Sequence, residues 1–257
     1  MDKIEKFDEI AKDIKAAIDA TFTSIAEIYA SNQELLMRKN PSENDDGKLV
    51  FPKYGNREET RISEQELRFE FIQQLLSLAP DYFYSVETPT QLKYRFSKPR
   101  TDFKEYGVDI SVPRIQTQAD LNYDEAHKGI VKRYHSICES AQFDTVLMNS
   151  EGNRVAYIEF KGMNAPEKEY RKDFLKLNAE GCEHPHLKSE KRGKRKPCFF
   201  IQLLKNEKQL KEEFLNSDIS DLGLNDTTYV CYTLDGKQKY CRGDIDVFNK
   251  DSDYIKI

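Results

Sequence analysis

Three residues stand out by type and spacing: Asp144 in "FDTVLM", and Glu159 with Lys161 in "YIEFKG". Both runs are otherwise apolar, β-branched and aromatic, the composition of buried strands, and the stretch "NSEGN" between them is turn-forming. Side chains alternate faces along a strand. Tyr157, Glu159 and Lys161 therefore share one face, while Ala156, Ile158 and Phe160 share the other, which is core. With Ser150 to Asn153 as a four-residue turn, Asn149 pairs with Arg154, and counting outward sets Asp144 opposite Glu159. Two carboxylates with Cβ atoms roughly 5 Å apart repel unless a cation lies between them. Mg²⁺, with Mn²⁺ able to substitute, meets that need through oxygen ligands. An ammonium beside it, that of Lys161, would position or deprotonate a metal-bound water, or stabilise charge developing on a phosphate. Metal-assisted hydrolysis of a phosphodiester is the chemistry such a set serves. On a solvated strand face the same Glu-x-Lys would only keep a sheet soluble.

The elements that must position these residues are legible around them. "RISEQELRFEFIQQLLSLAP" starts with Ser63 and Glu66 in capping-box register and places Leu67, Phe71, Leu75 and Leu78 on one face before Pro80 stops the helix. "YFYSVETPTQLKYRF" reads as a strand pair or one bent strand, and "APEKEYRKDFLKLNAE" as an amphipathic helix with Tyr170, Phe174 and Leu177 on the core side. From that helix Arg171 and Lys176 are candidates to reach phosphates, against the ordinary alternative of a solvated face. "CFFIQLL" is a buried strand, and a helix over 207–215 with a β-rich tail turning at Asp235-Gly236 closes the chain.

The order helix, strands, Asp strand, Glu-x-Lys strand, helix, strand resembles the PD-(D/E)xK phosphodiesterase superfamily, the restriction endonuclease-like fold. That resemblance implies an α/β core in which a central mixed sheet is flanked by helices. It covers 63–204 apart from an insertion at about 97–141, in which "VDISVPR" reads as a strand and "NYDEAHKGIVKRYHSICESA" as a helix. It implies Mg²⁺-dependent nuclease activity, with Asp144 and Glu159 as metal ligands and Lys161 as the water-orienting residue. It also implies a restriction, repair or phage-defence setting and a further acid from the first core helix. Glu66 is the first choice and Glu70 the alternative, although Glu66 is also the capping-box residue for Ser63. No Pro precedes Asp144, and the insertion is long for the family. A decayed site on the same fold, binding nucleic acid or assembling a complex, is the rival expectation.

Outside this core, residues 1–60 comprise a long helix to about residue 37 and a Pro, Gly and charge-rich linker with a short strand at 49–51. In the helix Ile4, Phe7, Ala11, Ile14, Ile18, Thr21, Ile25, Ile28, Asn32 and Leu35 fall at spacings of three and four. This seam predicts either packing on the sheet or a homodimer. Three units follow: 1–60, a core over 61–205, and a C-terminal extension over 206–257. "HLKSEKRGKRKP" carries Lys188, Lys191, Arg192, Lys194, Arg195 and Lys196 against Glu190, an expected nucleic-acid contact, DNA rather than RNA. The chain as a whole is acidic, with a net charge of −5, which argues against coating nucleic acid by bulk charge. Five irregularly spaced cysteines fit reduced thiols, and no run reaches transmembrane length, so the expected setting is cytoplasmic.

Overall fold

Among the described residues, seven strands pair strictly in chain order into one mixed sheet. A computed structural model describes residues 7–37, 62–94, 139–162, 167–185, 191–210, 227–243 and 245–257, with side chains except at 32–37, 93–94, 139–140, 167–172 and 175. The strands are β1 (Phe83–Tyr94), β2 (Glu139–Met148), β3 (Arg154–Lys161), β4 (Cys198–Leu204), β5 (Thr228–Thr233), β6 (Gln238–Arg242) and β7 (Tyr254–Lys256). The first three form an antiparallel meander. β3, β4 and β5 run parallel, β5 and β6 form a hairpin, and β7 lies parallel to β6. The helices are α1 (Phe7–Met37), α2 (Glu64–Leu78), α3 (Glu167–Glu180), α4 (Glu207–Leu210) and α5 (Asp246–Asn249).

Alternation along the central strands decides what covers each face. Ala156, Ile158 and Phe160 of β3, with Phe199, Ile201 and Leu203 of β4, pack against α1, α2 and α5. Tyr157 of β3, with Cys198, Phe200 and Leu204 of β4, packs against Phe174 and Leu177 of α3 and Leu210 of α4. The heptad seam of α1 is spent inside the chain: Ile14, Ile18, Phe22 and Ile25 are fully buried, and Phe22 stacks on Tyr232 with ring centroids 5.2 Å apart. A coiled-coil dimer through those residues would have to expose this core, so the sheet-covering alternative is the one realised. The described strands of the C-terminal part, β5–β7, continue the same sheet. Among the described residues no helix is long and apolar enough to cross a membrane.

Local chemistry explains the boundaries. Ser63 and Glu66 form the capping box at the start of α2. Glu180, the last residue of α3, accepts from Gln91 N and Leu92 N at 2.9 Å each, where the β1–β2 register shifts between Pro89 and Lys93. β2 begins at Glu139, so the end of the stretch read as an insertion helix is strand. The remainder of that insertion, the linker with its short strand, and residues 211–215 of the expected C-terminal helix lie outside the described residues. Replacing Phe22 by Ala should cost about 3–5 kcal/mol, because the cavity would open between α1 and the sheet where neither can collapse. A denaturant midpoint unchanged from wild type would show that α1 is not part of the cooperative core.

Candidate active site

The meander opens at the residues singled out from the sequence. The described β2–β3 pairing runs from Met148↔Arg154 to Thr145↔Ile158, and the same register carried one residue further sets Asp144 against Glu159. It arises differently from the expected four-residue turn. Asn149 closes the turn against Asn153, with Asn149 Oδ1 accepting from Glu151 N and Asn153 N, and Met148 rather than Asn149 pairs with Arg154. A bulge between Leu147 and Met148 then restores the register, so two one-residue offsets cancel.

At Asp144 the ladder gives way on both sides. Phe160 N donates to the Asp144 side chain, Oδ2 at 2.7 Å. On the β1 side the register skips Glu87, whose φ is +49°, and Arg68 of α2 donates instead to Glu87 Oε1 at 2.6 Å and to Asp144 O at 3.4 Å. A strand pair that splays at one residue makes room for side chains that a continuous ladder would exclude.

Into that space α3 contributes Asp173, not singled out from the sequence, and Lys176, expected there as a phosphate contact. Lys176 Nζ lies 2.6 Å from Glu159 Oε1 and 2.9 Å from Asp173 Oδ1, and donates to Gln142 O at 2.6 Å. Lys161 Nζ lies 2.8 Å from Asp173 Oδ2 and 3.4 Å from Glu64 Oε2. Glu159 and Lys176 are each only 1% exposed. Lys176 therefore does not reach outward to solvent; it neutralises the floor of the site. The available signal was position: Asp173 and Lys176, three apart, adjoin Phe174 and Leu177 on the buried face of α3. Across the sheet Lys161 pairs with Gln202, whose Oε1 accepts from Tyr229 OH at 2.9 Å.

The helix acid is corrected. Glu66 Oε2 accepts from Ser63 N and its own N–H donates to Ser63 Oγ, so Glu66 closes the cap and is absent from the cluster. Glu70 accepts from Gln74. Glu64 is the α2 carboxylate that reaches Lys161, brought there by the close approach of Gly162, where a Cβ would meet Glu64 N at 3.0 Å.

Burial and charge divide the carboxyl groups. Burial pushes the Glu159 carboxyl well above its ordinary range, reinforced by Asp173 and opposed by Lys176. Burial also opposes ionisation of Asp173, but Lys176 and Lys161 outweigh it and hold Asp173 below the usual carboxylate range. For Lys161, burial works against the charge and loses to Asp173, Asp144 and Glu64, so its pKa is raised. An ammonium held that firmly supplies positive charge and hydrogen bonds, not a base at neutral pH.

Four carboxylates, Glu64, Asp144, Glu159 and Asp173, face two ammoniums in this cluster. Carboxylate oxygens are the ligand type a hard divalent cation takes, but Lys161 and Lys176 already hold both oxygens of Asp173 and Oε1 of Glu159. Among the described residues no three His, Cys, Asp or Glu side chains gather as a ligand group, so a cation here would rest on Asp144 and Glu159, with water and substrate oxygens completing its shell.

The basic segment is elsewhere. Tyr157 pairs with Cys198 and Glu159 with Phe200, so Lys194 to Pro197 sit beyond the start of β3 and the acidic cluster sits at its end. Five residues of strand, roughly 16 Å, separate Arg154 from Glu159. The expected nucleic-acid contacts therefore lie at the other end of β3 from the carboxylates. Lys191, Arg192, Lys194, Arg195 and Lys196 belong to the opposite end of the sheet, and Lys188 lies outside the described residues.

The chain matches no protein-family model, no curated protein and no solved structure. Its site is therefore read from geometry alone.

Removing Lys176 should be costly: Lys176→Met leaves Glu159 and Asp173 buried beside each other, and loss of one partner of a buried pair costs roughly 3–5 kcal/mol. Glu159→Gln should behave oppositely. Because the folded-state pKa of Glu159 is raised, its contribution favours folding while it is protonated and declines as pH rises from 4.5 through the folded value. The Gln variant should match or exceed wild-type stability at pH 8, with the difference growing from pH 5 upward. Asp173 has the reverse sign, its contribution present above the ordinary Asp value and lost as pH falls through the lower folded value. Thermal melts of Glu159→Gln across that range read the sign directly, and a variant that loses stability at pH 8 would contradict the assignment.

Proposed function

We propose that the chain is a metal-dependent nuclease hydrolysing phosphodiester bonds, of DNA in preference to RNA, at the cluster of Asp144, Glu159 and Lys161. The observation that carries this reading is the opening of the β2–β3 ladder at Asp144, which gathers carboxylates and ammoniums beneath α3 where a core would bury apolar groups. The succession α2, antiparallel β1–β3, α3, parallel β4 also follows the element order of the PD-(D/E)xK core, which supports a restriction endonuclease-like arrangement. Fold likeness alone does not assign an activity, so the weight rests on the cluster.

Bound Mg²⁺, or Mn²⁺ in its place, would supply an activated water and neutralise charge on the phosphate. Asp144 and Glu159 would hold the cation. Lys161, kept charged by Asp173, would orient the attacking water and offset charge developing on a phosphoryl oxygen. Glu64, half-exposed at the mouth, would share Lys161 with Asp173 and so limit where its ammonium can point. Lys176 would act through Glu159 and Asp173, holding both carboxylates in place.

One observation favours a second reading. Lys176 Nζ already occupies Glu159 Oε1, and an ammonium in the place of a metal is what a decayed, nucleic-acid-binding or complex-assembling module would retain. Incubating the protein with labelled DNA and RNA, with Mg²⁺ or Mn²⁺ and with chelator, separates the two. Nuclease function requires metal-dependent cleavage that falls at least 100-fold in Asp144→Asn, Glu159→Gln and Lys161→Ala, with folding verified by thermal melts. Cleavage undiminished in those variants would sink the site assignment, and retention of nucleic acid without cleavage would establish the binding module.

A further inference from the structure

At the hairpin end of the sheet, remote from the carboxylates, Phe7 and Ile10 of α1 meet Arg154 of β3 and Lys194, Arg195 and Lys196 around a groove of about 830 Å³. That volume is within the range of about 300–1,000 Å³ usual for small-molecule sites. Four cationic side chains line it against the single carboxylate of Glu183. Glu183 is itself partly engaged, accepting from Lys194 N at 3.1 Å. Glu183 also acts on Lys196 across the groove, partly offsetting its burial. One guanidinium nitrogen of Arg154 is buried without a hydrogen-bond partner, a desolvation cost that a nearby anion would offset. Burial holds the Lys196 ammonium below the ordinary lysine value, so this cation too is under-compensated. The contrast with the other end of β3 is one of sign: there carboxylates outnumber ammoniums, here cations outnumber carboxylates.

Part of the lining is apolar. It includes Phe7 and Ile10, and the Arg195 guanidinium carbon lies 5.9 Å from the centre of the Phe7 ring. A ligand suited to both parts of the lining carries phosphate on one end and a flat, poorly hydrated ring on the other. We infer that the groove formed by Phe7, Ile10, Arg154, Lys194, Arg195 and Lys196 is a nucleotide-binding site separate from the carboxylate cluster. The cationic side chains take the phosphate, and Phe7 and Ile10 take the base. The shared chemistry is that of a nucleoside phosphate, free in solution or at the phosphorylated end of a strand. This inference does not rest on the nuclease reading, since no residue of the groove belongs to the cluster.

Fluorescence anisotropy with a fluorescent ATP analogue, in chelator so that no metal bridges phosphate to the carboxylates, tests it on the full chain. Competitors are ATP, inorganic pyrophosphate, and a 12-mer oligonucleotide with either a 5′-phosphate or a 5′-hydroxyl. The expected result is saturable binding that weakens at least 10-fold in Lys194→Ala/Lys196→Ala and is unchanged in Asp144→Asn. Should the double variant fail to fold, Lys194→Ala, at an exposed position, is expected to weaken binding several-fold on its own. Competition by ATP identifies the free nucleotide, and stronger competition by the 5′-phosphorylated than by the 5′-hydroxyl strand identifies a strand end. Absence of binding, binding insensitive to the lysine substitutions, pyrophosphate competing as well as ATP, or loss of binding in Asp144→Asn would each overturn the assignment.

Discussion

Burying the Glu159 carboxylate beneath a helix is the constraint around which this molecule is arranged. An isolated carboxylate at 1% exposure would protonate or force water into the sheet, and either would loosen the packing of α3 on β3 and β4. Lys176 opposes this without cancelling it, lying between Glu159 and Asp173 with its ammonium 5.2 Å from the centre of the Phe143 ring. Asp173 then holds Lys161, and Lys161 reaches Glu64 at the start of α2. Charges from α2, β3 and α3 are thereby linked into one network spanning both faces at the end of the strand.

That network needs an interruption in the backbone, and the interruption is specific. The Asp144 carboxylate takes Phe160 N, and Arg68 takes Asp144 O, so the groups released by splaying β1, β2 and β3 are satisfied by side chains. The sheet remains well packed beyond it, with Phe71 against Phe160 on one face and Phe174 against Phe200 on the other. Rigid strands with a local opening hold ionisable groups more closely than a loop would. The same rigidity keeps the buried carboxylates at the end of β3 and the cations at the start of β3 and β4 apart, so groups of opposite charge lie roughly 16 Å from each other.

Much of the architecture was legible in periodicity. The capping box of Ser63 and Glu66, the alternation of "VAYIEFKG", the unbroken apolar run "CFFIQLL" and the amphipathic stretch ending at Glu180 each define their element locally. The β2–β3 register up to Thr145 and Ile158 was also legible, although the turn reached it through a bulge that no residue pattern announces. Less legible was the choice between partners for the α1 seam. Its spacing serves a second helix or a sheet equally well, and only the apolar face left by Ile158, Phe160, Ile201 and Val230 decides between them.

What the sequence determined by itself is the inventory: strands, helices, and a strand pair carrying Asp144, Glu159 and Lys161 where apolar residues would otherwise stand. Tertiary structure alone decided which charges meet. Glu64 rather than Glu66 reaches the cluster because the cap consumes Glu66. Asp173 and Lys176 join it because α3 crosses back over β3, and the basic segment leaves it because a strand parallel to β3 must begin at β3's own starting end. These are contacts between residues far apart in the chain, set by the direction of a crossover and by burial, neither of which spacing along the chain encodes.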